Sequence, residues 1–181
     1  MTMEGICVSE PRGEVSRDRE LDILVPEDRL AALMDAFEGS VYSFLVTLVG
    51  DADLAADCAQ DTFIRAYQQL CKRRTVTKQW LYRVARNRAM DEYRRRTREE
   101  KKLGRLPEPV AGSLFTESGD EGVHRALQTL SWEDREVLYL WAVDGFSGRQ
   151  ISDLLGVRAE AVHMRVSRAR QRFRAAYGDG V

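Results

Sequence analysis

The chain has 181 residues with a net charge of -1, and 31% of its residues are charged. This length suits one large domain or two small ones, and a hydrophobic share of 44% with only four prolines excludes a mostly disordered chain. No apolar run approaches the roughly 20 residues of a membrane span, and the N-terminus lacks the apolar core of a signal peptide. We therefore expect a cytoplasmic protein without membrane insertion.

The cysteine and histidine content points away from metal or disulfide chemistry. The three cysteines form no C-x-x-C motif, and there are only two histidines, which lie far apart. We expect no metal site, no cofactor and no catalytic residues. Cys58 and Cys71 are predicted to be small packing residues in a reducing compartment.

The near-zero net charge conceals a strong segregation of charge along the chain. Residues 78–105 carry 11 basic and 4 acidic side chains, and residues 147–177 carry 7 basic and 2 acidic ones. Residues 1–65 and 106–136 are acidic overall. A single basic block is usually a solvated helix face, but two blocks in one chain favour two contacts with a polyanion.

The first part of the chain reads as a tail followed by three helices. Residues 1–26 are polar and are expected to form a flexible N-terminal tail. Apolar residues then recur at spacings of three and four up to Gly50, which predicts a helix. A second helix, capped by Asp51 or Asp53, runs to about Leu70, and a third runs from about Lys78 to about Lys102 after a short basic loop.

The second half begins with a segment rich in glycine and proline, which predicts a flexible linker at 101–121. Helices are then expected at 123–130, 132–143, 147–155 and 159–176, and no segment reads as a strand. The predicted fold class is therefore all-α, with two small helical domains at 27–100 and 122–177.

The last two predicted helices have the pattern of a helix-turn-helix. Ser147 can cap the first helix, Gly156 supplies a tight turn, and an apolar stripe from Val162 to Phe173 faces inward on the second. An α-helix fits the major groove of DNA, where its exposed side chains reach base edges. That outward face consists of Glu160, His163, Met164, Ser167, Arg168, Gln171 and Arg174. A protein-docking surface is the alternative interpretation of this face.

The second and third helices present two further surfaces. Asp57, Gln60, Asp61 and Ile64 share one face of the second helix, and an acidic face of this kind suits a basic protein partner. The third helix places Leu81, Val84, Ala85 and Ala89 inward, and four side chains that could contact a partner face outward. The outward residues are Arg83, Asn87, Met90 and Arg94. Arginines beside aromatic residues suit single-stranded DNA. The alternative is that Trp80 and Tyr82 are core aromatics, and for Trp80 this alternative is favoured.

Three consecutive blocks carry a family resemblance. The runs GDADLAADCAQDTFIRAYQQL, WLYRVARNRAMDEYRRR and ALQTLSWEDREVLYLWAVDGFSGRQISDLLGVRAEAVHMRVSRARQRF resemble the small sigma factors of the sigma-70 family, the extracytoplasmic-function group. The resemblance covers about residues 30–100 and 122–175. It implies a region 2 helical bundle and a region 4 helix-turn-helix, which together bind core RNA polymerase and promoter DNA.

The resemblance also implies roles for particular residues. Region 2 would bind the β′ clamp helices through Asp57, Gln60, Asp61 and Ile64. It would open the minus-ten element through the basic loop and the third helix, and region 4 would bind the β flap and read the minus-thirty-five element. The minus-ten residues are Lys72, Arg73, Arg74, Trp80, Arg83, Asn87 and Arg94. The minus-thirty-five residues are Arg158, Glu160, His163, Met164, Ser167 and Arg168. An anti-sigma factor is a further implied partner.

The chain departs from the family pattern at two places. The recognition helix begins with Ala159-Glu160-Ala161 where the family usually has small residues ending in Gly-Thr, and the loop before Trp80 lacks the usual aromatic and glycine run. We expect an unusual minus-thirty-five sequence, because Glu160 accepts hydrogen bonds and Met164 makes only apolar contacts.

Two other classes of protein remain as alternatives. A helix-turn-helix regulator that acts without replacing the sigma subunit would explain the C-terminal half, but not the acidic face of the second helix. An enzyme is disfavoured, because the sequence offers no pair of nucleophile and base and no phosphate-binding loop.

Overall fold

The structure, a computed structural model, describes residues 25–102 and 121–178, and within these ranges it is entirely helical. The all-α prediction is confirmed. The helices are α1 (Pro26–Val49), α2 (Ala52–Cys71), α3 (Lys78–Lys102), α4 (Glu121–Gln128), α5 (Trp132–Leu138), α6 (Gly148–Leu155) and α7 (Ala159–Gly178). The predicted tail and linker lie outside the described residues, apart from their edges.

Local sequence explains where most helices begin and end. Proline opens α1 and Gly50 closes it in the left-handed conformation, at φ 67°, which glycine adopts without a steric penalty. Asp51 then caps α2 by accepting a hydrogen bond from the Leu54 amide at 2.9 Å. Ser131 and Ser147 cap α5 and α6 in the same way.

The first helix, α1, has a markedly apolar composition. By length and hydropathy α1 is long and apolar enough to cross a membrane. Its C-terminal half, however, is buried in the protein core, with Val41, Phe44 and Leu45 fully covered. The burial of these side chains accounts for its hydropathy.

One helix does not end as predicted. The expected helix at 132–143 is an α-helix only to Leu138, and Tyr139–Val143 continues as a π-helical turn. The Asp144 amide donates to the Tyr139 carbonyl at 3.2 Å, and the Phe146 amide donates to the Leu140 carbonyl at 2.9 Å. This wider turn directs Phe146 back into the core, where it is buried.

The two halves of the chain share a single hydrophobic core. The Phe44 ring lies 5.2 Å from the Tyr82 ring and 5.4 Å from the Tyr139 ring, centroid to centroid. The Tyr82 ring also meets Phe146 edge-on at 5.1 Å. Aromatic pairs at such separations stabilise beyond their buried area, so the C-terminal helices are packed directly onto α1 and α3.

Three predictions about which residues are buried are wrong. On α3, Val84 is only half-buried whereas Tyr82 is fully buried, because the C-terminal helices cover the flank that the sequence of α3 alone leaves open. Met90 is also partly buried against the core rather than outward. Cys58 packs inside as expected, and burial raises its pKa to about 11, but Cys71 is exposed at the end of α2.

Candidate nucleic-acid interface

The face of α2 that the sequence singled out is on the surface. Asp57 and Gln60 are exposed, and Ile64 is 48% exposed although it is a large apolar residue. The opposite face is buried as predicted, through Ala55, Ala59, Phe63, Ala66 and Leu70. An exposed isoleucine beside acidic and amide groups is suited to a partner with both apolar and basic side chains.

Asp61 has a structural role that the sequence did not reveal. The Arg88 Nε atom on α3 donates to Asp61 Oδ2 at 2.5 Å, and Arg88 Nη1 lies 2.9 Å from Glu92 Oε1. A hydrogen bond from Arg95 holds the pKa of Glu92 below its usual range, and Arg88 acts in the same direction. Asp61 thus fastens α2 to α3 in addition to forming part of the predicted polymerase surface.

A groove between α1 and α2 borders this surface. It has a volume of about 760 Å³ and is lined by Gln60 and Ile64 from α2 together with residues of α1. The α1 residues lining it are Leu30, Met34, Glu38, Gly39 and Tyr42. The sequence did not predict the contribution of α1, although Leu30 and Met34 belong to its apolar stripe and are only partly buried against the core.

The basic loop after α2 is exposed throughout Lys72, Arg73 and Arg74. Arg73 adopts the left-handed conformation with φ 54°. Its amide donates to the Leu70 carbonyl at 2.8 Å, and the Arg74 amide donates to the Gln69 carbonyl at 3.0 Å. These bonds satisfy the last carbonyls of α2 and fix the direction in which the loop leaves the helix.

On α3, three of the predicted minus-ten residues follow one line along the helix. Trp80, Asn87 and Arg94 are spaced by seven positions, which places them on one face. Asn87 and Arg94 are exposed, and Trp80 is half-buried against the core. The predicted core position of Trp80 is thus met in part, and the side chain keeps some exposed surface.

Arg83, the fourth residue of α3 that was predicted to contact the minus-ten element, contacts the C-terminal half of the molecule. Arg83 is exposed, yet its Nη2 atom lies 3.4 Å from the Asp153 carbonyl oxygen on α6. The sequence predicted Arg83 as a nucleic-acid contact but could not show this interaction.

The helix-turn-helix forms as predicted. Ser147 and Gln150 form a reciprocal capping box at the start of α6, and Gly156 turns the chain at φ 66°. Val162, Val166 and Ala169 of α7 are buried. The predicted minus-thirty-five residues Arg158, Glu160, Met164, Ser167 and Arg168 are exposed, with Met164 at 55%.

His163 differs from the other residues of this face. Its ring meets Trp141 edge-on at a centroid distance of 6.1 Å. It also covers Gly148, where an added Cβ would come within 3.2 Å of His163 Nε2. His163 thus links the recognition helix to the start of α6, and it is exposed like the other predicted minus-thirty-five residues.

Within residues 25–102 and 121–178, no three histidine, cysteine or carboxylate side chains are grouped so that they could hold a metal ion. The surfaces described above consist instead of one acidic and apolar face on α2, one basic and aromatic face on α3, and the exposed face of α7. Acidic and apolar groups suit a basic protein partner, and basic and aromatic groups suit a nucleic acid.

Comparisons with known proteins agree with this arrangement. Residues 33–99 match the family Sigma-70 region 2, and residues 120–173 match the family Sigma-70, region 4. The ECF RNA polymerase sigma factor SigM of Bacillus subtilis is 29% identical over 155 residues, covering 80% of this chain and 93% of that protein. The ECF RNA polymerase sigma factor EcfG of Rhodopseudomonas palustris is 31% identical over 152 residues, covering 78% and 81%.

Solved structures show the same fold. The sigma factor RpoE of Bartonella quintana, crystallised with the anti-sigma factor NepR, matches with a TM-score of 0.70 and 28% identity, covering 81% of this chain and 94% of that one. CnrH, solved with the cytosolic domain of CnrY, matches with a TM-score of 0.66 and 24% identity, covering 91% and 99%. The two regional matches together span more than half of the chain, and the relatives are matched over most of their length. The chain therefore belongs to the sigma-70 family of RNA polymerase sigma factors, in its extracytoplasmic-function group.

Proposed function

We propose that this sigma factor binds core RNA polymerase through the exposed face of α2 and the adjoining groove, at the β′ clamp helices. The residues assigned to the contact are Asp57, Gln60, Asp61 and Ile64. The surface joins carboxylates to an exposed apolar side chain, and it lies beside a groove large enough to accept partner side chains. The C-terminal helices α4 to α7, from Glu121 to Gly178, are assigned to the β flap.

The same proposal assigns the promoter contacts to two surfaces. The basic loop Lys72–Arg74 and the outer face of α3 would capture the separated minus-ten strand, since bases stack on aromatic rings and arginines follow the backbone only once the strands part. The exposed face of α7 would read the minus-thirty-five element in the major groove. The protein would act in the cytoplasm as a regulatory subunit without catalytic groups of its own.

The observation that carries the proposal is the coexistence of the acidic α2 face and the basic α3 face in one helical unit. A helix-turn-helix regulator that works without replacing the sigma subunit needs only α6 and α7. An α2 surface with an exposed isoleucine beside acidic groups would serve no purpose in it. An anti-sigma partner is also proposed, because the related RpoE is found in complex with one.

The decisive experiment is run-off transcription with purified core RNA polymerase, on templates selected from genomic DNA fragments that the reconstituted holoenzyme retains. We expect specific transcripts that depend on adding this chain. If the chain binds the same DNA fragments equally well without core polymerase and yields no transcript, the regulator interpretation is correct instead.

A further inference from the structure

The first two turns of α7 expose an acidic and an apolar side chain on the face assigned to DNA. Glu160 and Met164 are four residues apart, which places them on the same side of the helix. Glu160 is exposed in the first turn, and Met164 is 55% exposed. A carboxylate and a thioether cannot neutralise a phosphate, so attraction to the DNA backbone does not account for either side chain.

The turn between α6 and α7 fixes the position of these two side chains. The Ser152 hydroxyl donates to the Val157 carbonyl at 2.5 Å, and the Val157 amide donates back to the Ser152 carbonyl at 3.1 Å. Val162, which lies between Glu160 and Met164 in sequence, is fully buried and anchors the helix from below. Side chains that read bases need a rigid support of this kind.

The Glu160 carboxylate is not used by the protein itself. Elsewhere on α7, Arg172 forms an ion pair with Asp134 at 2.5 Å. Within residues 25–102 and 121–178, by contrast, no hydrogen bond or ion pair engages the side chain of Glu160. An acidic residue in the first turn favours the helix dipole wherever it points, but an exposed and unpaired carboxylate on this face is also available to a hydrogen-bond donor outside the chain.

The major groove offers few partners for a group that only accepts hydrogen bonds. Guanine and thymine present acceptors there, and only the amino groups of cytosine and adenine donate. The adenine amino group lies beside the N7 acceptor of the same base, which repels a carboxylate, so cytosine is the best match for Glu160. Opposite guanine or thymine, the carboxylate would lose water without gaining a partner, and this cost excludes both bases.

Met164 selects by apolar contact. The C5-methyl group of thymine is the one apolar group that the four bases present in the major groove. Packing the Met164 side chain against that methyl group removes apolar surface of both partners from water. The other three bases would place polar edges against the same side chain, so thymine is the base that fits Met164.

The helix geometry sets the distance between the two base pairs. Four residues of an α-helix advance by about 6 Å, at about 1.5 Å per residue. Base pairs follow one another at about 3.4 Å, so Glu160 and Met164 face positions about two base pairs apart. Arg168 is a further four residues along α7 and therefore faces a position beyond that of Met164.

We propose that the minus-thirty-five element of this chain carries a cytosine facing Glu160 and, about two base pairs further along, a thymine facing Met164. The base pair governed by Arg168 lies on the far side of that thymine. The inference rests on the proposed function, in which α7 reads this element, and it deepens that function by naming the bases and their order.

Selection from a promoter library tests the role of Glu160. Holoenzyme made from core polymerase and the full-length chain is allowed to bind templates randomised in the minus-thirty-five region. Glu160→Gln keeps the size of the side chain, but its amide both donates and accepts, as adenine requires. We expect the preference to change from cytosine to adenine at one position only, by at least about fivefold in relative enrichment. Asp35→Asn removes the same charge from an exposed site on α1 and should leave every preference unchanged.

Removal of a single methyl group tests the role of Met164. Deoxyuridine differs from thymidine only by the missing C5-methyl group, and it replaces the thymine about two base pairs from the position that Glu160→Gln identifies. Wild-type holoenzyme should bind the substituted promoter about threefold more weakly. Met164→Leu, which keeps an apolar side chain, should retain this sensitivity, whereas Met164→Ala should bind both promoters equally well.

The outcomes separate this inference from the proposed function. A Glu160→Gln variant that binds all sequences more weakly, with unchanged base preferences, would show that Glu160 only stabilises the start of α7. Undiminished sensitivity of Met164→Ala to deoxyuridine would likewise overturn the assignment of thymine. In both cases the wild-type chain still selects a minus-thirty-five element, so the proposed function stands. If wild-type holoenzyme enriches no element at all, the proposed function fails and this inference fails with it.

Discussion

Arg73 occupies a backbone conformation that side chains with a Cβ seldom adopt. Its φ of 54° closes α2 in the position where glycine is usual. For an L-residue, the left-handed conformation costs roughly 1–2 kcal/mol. An arginine is nevertheless present, and we attribute its presence to the charge that the basic loop offers to a nucleic-acid strand.

We predict that Arg73→Gly stabilises the protein while weakening the loop's contact with DNA. The free energy of unfolding should rise by about 1 kcal/mol, because glycine has no Cβ to strain. Urea denaturation followed by circular dichroism measures the change. Lys72→Gly is the control, since Lys72 has a φ of -85° and should gain nothing. A loss of stability in Arg73→Gly would show that the left-handed backbone is not strained.

Asp57 and Asp61 were predicted together but differ in the structure. Asp57 is exposed, whereas Asp61 also bonds to Arg88 on α3. A charge reversal at Asp61 therefore affects both the surface and the packing of α2 on α3. Only Asp57 can report on polymerase binding alone.

We predict that Asp57→Arg lowers retention by core RNA polymerase without changing the free energy of unfolding. Like charges brought together at an interface cost several kcal/mol. Asp61→Arg should lower both quantities. Co-purification and urea denaturation are the two measurements, with Asp35→Arg, an exposed residue outside the groove lining, as the control. Undiminished retention of Asp57→Arg would contradict the assignment of this face.

At the scale of elements, α7 has one buried face and one exposed face. Its buried line of Val162, Val166 and Ala169 packs on the domain, and its exposed line includes Met164 and Arg168. Arg165 is also exposed, but its charge acts on the buried Glu136 of α5 and lowers the pKa of that carboxyl in part. Arg165 is therefore close enough to act on the rest of the protein, whereas Arg168 belongs to the exposed face that the proposed function assigns to DNA.

We predict that Arg168→Ala alters base preference at one promoter position, by roughly 1–3 kcal/mol. Arg165→Ala should weaken binding to all sequences equally and lower the salt slope by about one, as expected of a phosphate contact. The measurement is holoenzyme binding to a library randomised in the minus-thirty-five region, at two salt concentrations. An unchanged base preference in Arg168→Ala would reverse the two roles.

At the scale of the whole molecule, two carboxylates lie where the C-terminal half of the chain packs on α3. Burial raises the pKa of Glu136, and the attraction of Arg86 and Arg165 only partly offsets this, while Glu133 adds to the rise. Burial likewise raises the pKa of Asp144, against the partial effect of the Tyr82 hydroxyl and the Lys78 ammonium. In both cases the folded chain holds a proton more tightly than the unfolded chain does.

The sign of the pH effect follows from this difference. Between the ordinary pKa of each carboxyl, 4.5 for Glu136 and 3.8 for Asp144, and its raised value, the folded state binds more protons, so this contribution to stability increases as the pH falls. Below the ordinary value both states are protonated and the contribution no longer changes. The carboxylates with lowered pKa, such as Asp51 beside the Leu54 amide, act in the opposite direction.

We predict that Glu136→Gln removes the part of this pH dependence that Glu136 contributes. As the pH is lowered from neutral towards 5, the free energy of unfolding of the wild type should increase relative to that of Glu136→Gln. Urea denaturation at a series of pH values measures the two free energies of unfolding. Subtracting one from the other cancels the contributions of the carboxylates that both proteins share. The control is Glu133→Gln, an exposed neighbour whose difference from the wild type should change much less. A constant difference for Glu136→Gln would show that Glu136 keeps its ordinary pKa.

Much of the local structure could be predicted from the sequence alone. Helix positions depend on apolar periodicity and on caps such as Asp51, Ser147 and Gly156, all of which act over a few residues. The inward face of α2 and the exposed face of α7 followed from the same periodicity. The family followed from three ordered blocks of residues, and the chemistry of each surface could be read from its side chains.

The features that only the tertiary structure decided all depend on contacts between distant residues. Tyr82 rather than Val84 is buried because the C-terminal helices cover that flank of α3. The apolar periodicity of α3 gives no information about the helices that pack on it. Asp61 bonds to the side chain of Arg88, and Arg83 bonds to a backbone carbonyl of α6. Both partners are distant in sequence. The π-helical turn at Tyr139–Val143 brings Phe146 against Tyr82, so that two predicted domains share one core. Packing across the chain determined these positions, since free energy from burial depends on what covers a residue and not on its place in a helical repeat.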